Sequence, residues 1–202
     1  MSGVRCLAVT LGCSQYLMKE LIMTKIIYHV ACTLDGFIAD IQGACPANLF
    51  PTSGDHIADF LQHIHKYRLV LMGGNTYRYG FKFGLQPGQP AYQGLKHYVF
   101  SRRLNFVSNA DVQLVTTDAI AYIRHLKQQE QGDIWLCGGG QLAGQLLHEQ
   151  LIDQLRLKIN PSLAGCGIYL FGNKINTPTF LRLKQSKSYA SGVVLNDYDL
   201  SY

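Results

Sequence analysis

Four short apolar runs, each opening directly into small or polar residues, limit the folds open to this chain. They are Ile26-Ile27-Tyr28-His29-Val30-Ala31-Cys32, Leu69-Val70-Leu71-Met72, Tyr98-Val99-Phe100 and Ile134-Trp135-Leu136-Cys137. A strand with one wet face alternates apolar and polar residues, whereas an unbroken apolar run suits a strand covered on both faces, as in a parallel sheet flanked by helices. Between the runs lie stretches with helical spacing. Thr52, with Asp55 three residues on, resembles a capping box before Ile57, Phe60, Leu61 and Ile64, and Asp118 stands where a cap would open a helix to about Gln128. A further helix is expected over about Gln141 to Gln150. Leu155-Arg156-Leu157-Lys158-Ile159 alternates strictly and reads as a strand with one wet face, ended by Pro161. Two alternating stretches between Phe180 and Tyr198, broken at Ala190-Ser191-Gly192, read as an antiparallel hairpin. The sum is an α/β fold. A mixed, mostly parallel sheet of about eight strands is expected, with helices on both faces and a C-terminal antiparallel hairpin.

Composition narrows the class of function. With 202 residues, 48% apolar and 15% charged, the chain is long enough for one domain to bury its own core without disulfide staples. The net charge of +5 is spread along the sequence with no block of like charge, which gives no support to nucleic-acid or membrane-surface binding. No stretch of apolar residues is long enough to span a bilayer. Cys6, Cys13, Cys32, Cys45, Cys137 and Cys166 form no CxxC pair and no zinc-ribbon spacing, so they read as reduced thiols of a cytoplasmic protein. No metal site is expected, because His63 and His65 cannot share one helix face. Residues 1–22 read as a flexible extension ahead of a second Met at position 23, leaving 23–202 as the single domain.

The chemistry is carried where the strands end. Three of the runs open into Gly73-Gly74-Asn75-Thr76, Ser101-Arg102-Arg103 and Gly138-Gly139-Gly140. Ligands of open α/β sheets sit at the carboxyl ends of the strands, where glycines permit close approach and helix N-termini offer free N–H groups. None of these loops is a G-x-G-x-x-G or Walker A motif. Three at one rim nevertheless point to a phosphate-bearing nucleotide cofactor.

Thr33-Leu34-Asp35-Gly36-Phe37-Ile38-Ala39, Met72-Gly73-Gly74-Asn75-Thr76-Tyr77, Tyr98-Val99-Phe100-Ser101-Arg102 and Leu136-Cys137-Gly138-Gly139-Gly140 stand in the order seen in dihydrofolate-reductase-like proteins. Leu155 to Phe171, with Pro161, Gly165 and Gly167, is similar to the reductase domain of the bifunctional riboflavin-biosynthesis deaminase-reductase. The resemblance implies an NADPH-dependent oxidoreductase that passes hydride to a small nitrogen heterocycle, pterin-like or riboflavin-precursor-like. It implies that Ala31 and Ile38 meet the nicotinamide, and that Gly73, Gly74, Asn75 and Thr76 hold the pyrophosphate. Ser101 and Arg102 would take the ribose 2′-phosphate, and Gly138, Gly139, Gly140, Gln141 and Leu142 would pack on the pyrophosphate side.

Two departures from that family stand out. Gly74 occupies a position where the family usually has Arg, so either Arg78, Arg102 or Arg103 supplies the charge or selectivity for NADPH over NADH is weak. Dihydrofolate reductase proper carries a carboxylate on its first long helix, and the matching position here is Ile57; Asp55 and Asp59 would point elsewhere. The proton would come from water or from Asp35, the latter weighed against a plain role as an Asp-Gly turn residue. Phe37, Ile57 and Tyr77 are the substrate-pocket candidates. The alternative reading is a non-catalytic nucleotide-binding protein of the same fold, a sensor or a dimeric interaction module. A homodimer, formed through the apolar C-terminal hairpin, is compatible with both.

Overall fold

The computed structural model describes residues 24–172 and 178–202; the expected N-terminal extension, with Cys6 and Cys13, lies outside them. Each of the four apolar runs is a strand. The elements in chain order are β1 (Ile26–Thr33), β2 (Phe37–Ala39), α1 (Asp55–Ile64), β3 (Leu69–Gly73), α2 (Gly74–Tyr79), β4 (Lys96–Phe100), β5 (Val112–Val115), α3 (Ala119–Gln129), β6 (Ile134–Gly138), α4 (Gly140–His148), β7 (Gln154–Asn160), β8 (Ile168–Tyr169), β9 (Phe180–Ser188) and β10 (Val194–Ser201). A short 3-10 turn, Gly80–Phe83, extends α2.

Eight strands form one sheet in the order β5-β4-β3-β6-β1-β7-β10-β9, and β2 pairs with β8 separately. The pairings from β5 to β7 are parallel, and the hairpin β9–β10 joins β7 antiparallel. The in-register pairs Ile26↔Ile134, Leu69↔Ile134 and Leu69↔Lys96 start β1, β6, β3 and β4 level with one another. Their carboxyl ends therefore reach the same rim.

The sheet has a core on each face, which is why its central strands need apolar side chains in both directions. On one face Tyr28, Leu69, Leu71, Ile134 and Leu136 pack with Ile123 of α3 and Leu146 of α4. On the other, Ile27, Val70, Met72, Val99 and Trp135 pack with Ile64 of α1 and Tyr77 of α2. The Trp135 indole N–H, buried with the ring, donates to the His29 carbonyl at 2.8 Å. At 25 cal/mol per Å² of apolar surface, burial of one such large side chain contributes about 2 to 3 kcal/mol.

Helix α3 begins as its sequence predicts, with the Asp118 carboxylate accepting from the N–H groups of Ile120 and Ala121. Helix α1 does not. Its N-cap is Gly54 at φ 123°, Thr52 makes no cap bond, and Leu61 is exposed. Its buried face is set by His56 and Ile64 instead, because α1 is docked by polar contacts to the distant hairpin turn. Asp55 accepts from the Ala190 N–H at 2.8 Å, His56 Nδ1 lies 3.0 Å from Ser191 Oγ, and Asp59 accepts from the Tyr189 hydroxyl and from Lys187 Nζ.

Candidate functional site

A long cleft runs along the rim where β4, β3, β6 and β1 end. The close approach of its walls is set by glycines. A Cβ at Gly140 would stand 2.3 Å from the Tyr169 carbonyl oxygen and 2.8 Å from the Gly172 nitrogen, so only glycine lets α4 start against that turn. A Cβ at Gly74 would lie 2.5 Å from Ser101 Oγ and 2.6 Å from Ser101 Cβ, so the Ser101 side chain fills the space that a side chain at position 74 would take. Gly138 adopts φ 144° and its peptide bond to Gly139 is cis. The Thr76 hydroxyl faces these two glycines, and Ser101 Oγ accepts from the N–H groups of Arg103 and Leu104, closing the turn after β4.

All thirteen residues expected at a cofactor line this cleft: Ala31, Ile38, Gly73, Gly74, Asn75, Thr76, Ser101, Arg102, Gly138, Gly139, Gly140, Gln141 and Leu142. Arg102 and Arg103 are exposed at its far end and form no ion pair among the described residues, while Arg78 donates to Asn75 Oδ1 at 2.9 Å. Backbone N–H groups at the start of α4, glycine walls and unpaired guanidinium groups are what an elongated, phosphate-bearing dinucleotide requires. The rim fits such a cofactor.

The other four candidates divide differently. Only Tyr77 lines the cleft, and its hydroxyl is already engaged, donating to Gln89 O at 2.6 Å and accepting from the Gly88 N–H at 3.0 Å. Phe37 does not line it; the ring stacks on Tyr169 at 4.5 Å and buries the β2–β8 pair. Ile57 is half-buried and also off the cleft, whereas Phe60, three residues on, lines it.

Asp35 is a structural anchor. Its carboxylate accepts from Thr33 Oγ1 at 2.5 Å and from the N–H groups of Ala164 and Gly165 at 3.1 and 2.7 Å. These bonds, Thr33 first and Gly165 next, pull its pKa down to about 2. A group that is ionised at neutral pH, bound by three donors and outside the cleft is no proton donor.

The end of the cleft beyond Ala31 is lined by residues that the sequence did not single out: His29, Lys158, Tyr92 and Trp135, with Cys45 and Cys137. His29 is buried, with the Tyr67 hydroxyl 3.1 Å from Nδ1, and burial holds its pKa well below the usual imidazole value. It is a neutral ring at physiological pH. Burial also pushes the Cys137 thiol up to about 12 and raises Cys45, so neither is a thiolate nucleophile. Asp55 and Asp59 are turned to the hairpin, as the spacing predicts, and no carboxylate shares this end of the cleft among the described residues. Nor do the described residues hold any group of three or more His, Cys, Asp or Glu suited to a metal ion.

Residues 24–195 match the model of the RibD C-terminal domain. The chain belongs to the RibD C-terminal domain family. A curated relative, the uncharacterized protein YwjB of Bacillus subtilis (strain 168), is 32% identical over 174 residues, 85% of this chain and 96% of YwjB. Among solved structures, a putative riboflavin biosynthesis protein from Shewanella sp. PV-4 superposes with a TM-score of 0.69 at 21% identity, covering 89% of this chain and all of that one. A Thermotoga maritima diaminohydroxyphosphoribosylaminopyrimidine deaminase/5-amino-6-(5-phosphoribosylamino)uracil reductase gives 0.64 at 15% identity, over 89% of this chain and 57% of that one. A dihydrofolate reductase from Enterococcus faecalis complexed with NADP(H) gives 0.58 at 12% identity, over 90% and 99%. The fold of this RibD C-terminal domain is dihydrofolate-reductase-like. Among the described residues, no helix is long and apolar enough to cross a membrane.

Proposed function

We propose that this RibD-type domain is an NADPH-dependent reductase of a small nitrogen heterocycle. The observation that carries the reading is the single cleft that collects all thirteen expected cofactor residues from five separate segments of the chain. In this reading the pyrophosphate lies against Gly73–Thr76 and the start of α4, and the ribose 2′-phosphate against Ser101 and Arg102. Bound there, NADPH supplies the hydride. The chain's own part is orientation: Ala31 and Ile38 flank the nicotinamide end, and Phe60 and Tyr92, backed by the buried Trp135, place an apolar wall beside the acceptor. With Asp35 tied into its loop and no carboxylate at that end among the described residues, the proton comes from water.

Pterin reduction fits poorly, because a protonated pterin is held by an acidic side chain and this cleft end offers Lys158 and a neutral His29 instead. The test is NADPH oxidation, followed as loss of the reduced-nicotinamide absorbance, with 5-amino-6-(5-phosphoribosylamino)uracil and with dihydrofolate as separate acceptors. Turnover of the pyrimidine with none of dihydrofolate supports the proposal. Tight NADPH binding with no turnover of either substrate supports the non-catalytic alternative. The homodimer belongs to the same proposal: β9 is the free edge of the sheet, with Phe180 and Leu183 exposed, and sedimentation velocity should read the mass of a dimer. A monomer at all concentrations would remove that part alone.

A further inference from the structure

Two cations stand two residues apart on the same face of β7, and they are treated differently. Arg156 lies opposite Asp197 of β10, and its Nε and Nη2 each reach that carboxylate at 2.6 Å. Lys158 lies between Ala31 of β1 and Leu195 of β10, neither of which can neutralise it. Among the described residues Lys158 has no ion-pair or hydrogen-bond partner. The nearest acid on α1, Asp59, is already held by Tyr189, Lys187 and His63. The side chain is half-buried beside Phe60 and His29, where it lines both the cleft and a small recess under α1. Burial lowers its pKa, which marks an ammonium that gives up water without gaining a partner in return. Such a charge costs stability unless a ligand completes it.

We infer that the end of the cleft next to Ala31 takes a flat ring bearing a carboxylate, and that the Lys158 ammonium pairs with that carboxylate. The anion site stands independently of the reductase reading. The neighbouring surface sets the class of ligand. Phe60 and Tyr92 line it with aromatic rings backed by the buried Trp135, His29 is neutral, and the cleft's acidic residues among those described, Asp118 and Glu149, stand with α3 and α4 at the opposite end. A single anionic group on an aromatic-sized ring is complementary to that combination, and a cationic ring is not.

The probe is quinoline-2-carboxylate, set against the uncharged quinoline-2-carboxamide, by calorimetric titration of the full chain with and without saturating NADPH. The carboxylate is expected to bind roughly ten- to a hundredfold more tightly than the amide, the ratio that one charged hydrogen bond supplies. Lys158→Met should abolish that preference and leave the melting temperature equal or higher, since no native partner is lost. Lys158→Arg should keep most of the preference. Equal affinity for acid and amide, no saturable binding of either, or a preference that survives Lys158→Met would each overturn the inference. So would Lys158-dependent binding of ribose 5-phosphate in place of the quinoline acid, which would assign the site to a phosphate. If NADPH fails to bind while the acid preference stands, the reductase reading falls alone; if NADPH binds and the preference is missing, only the anion site falls.

Discussion

Along the ends of β4, β3 and β6 the wall of the cleft is built on Gly73, Gly74, Gly138, Gly139 and Gly140, with Asn75, Thr76, Ser101 and Arg102 beside them. Beyond Ala31 the wall is side chains, brought from β1, α1, β6 and β7 and from the loop that carries Tyr92. The first region holds its shape where its glycines bring backbone against backbone, and peptide N–H groups there suit the phosphates of a cofactor. The second region owes its shape to which side chains meet there, so it can be altered without disturbing the first. In the proposed reading, binding of a common coenzyme and choice of a particular acceptor are thus separable.

The sharpest way to break that contrast is to put a side chain into the glycine wall. Gly140→Val would drive methyl groups into the Tyr169 carbonyl and the Gly172 N–H, both main chain and unable to step aside. The expected cost is about 3 kcal/mol, a fall of roughly 6 to 12 °C in melting temperature, together with loss of NADPH binding. Thermal denaturation with and without NADPH checks it, and a variant with wild-type stability would mean that α4 can move away from the 169–172 turn.

Next in size is Arg102→Ala, which removes a charged group without touching the glycines. The NADPH dissociation constant should rise roughly ten- to a hundredfold while that for NADH stays within about twofold. A fall shared equally by both coenzymes would place the 2′-phosphate elsewhere, with Arg103 the next variant to make.

The smallest effect concerns the docking of α1, which carries Phe60 into the side-chain region. Bonds from the Tyr189 hydroxyl and from Lys187 hold the Asp59 carboxyl at about 2, below its ordinary value of 3.8. A depressed carboxyl stabilises the folded state fully above its unfolded pKa and loses that contribution as the pH falls through the folded one. Stability should therefore drop between about pH 4 and pH 2 in the wild type, with Asp35, held at about 2 by Thr33 and the Gly165 and Ala164 N–H groups, adding to the slope. Asp59→Asn should flatten part of that slope and loosen α1 while NADPH affinity is retained. Acid titration of the melting temperature reads the first, and hydrogen exchange over Asp55–Ile64 the second.

The two regions were not equally legible in the sequence. Strand interiors and the glycines that follow them are local signals, so Leu69–Met72 with Gly73-Gly74 and Ile134–Cys137 with Gly138-Gly139-Gly140 could be read directly, while the full set of thirteen cofactor residues came from the family resemblance and lines the cleft. The side-chain end depends on contacts made across the chain. Lys158 reads as part of a wet face from the alternation of β7, yet that face lies under α1, whose place is fixed by Ala190 and Ser191 more than a hundred residues away. The same long-range docking set the start of α1 at Asp55 and turned Leu61 outward. Phe37 carries the right residue type in a family motif, but β8 supplies Tyr169 to cover it, which no local pattern announces. Asp35 is the reverse case: an Asp-Gly turn is locally readable, and the turn role is the one its hydrogen bonds support.

The claim on which the rest depends is that the glycine rim takes a dinucleotide, and titration of the full chain with NADPH by isothermal calorimetry tests it directly. One saturable site per chain, tighter for NADPH than for NADH and weakened by Arg102→Ala, is the expected result. Absence of any binding heat up to millimolar NADPH, in protein whose melting temperature shows it folded, would contradict it.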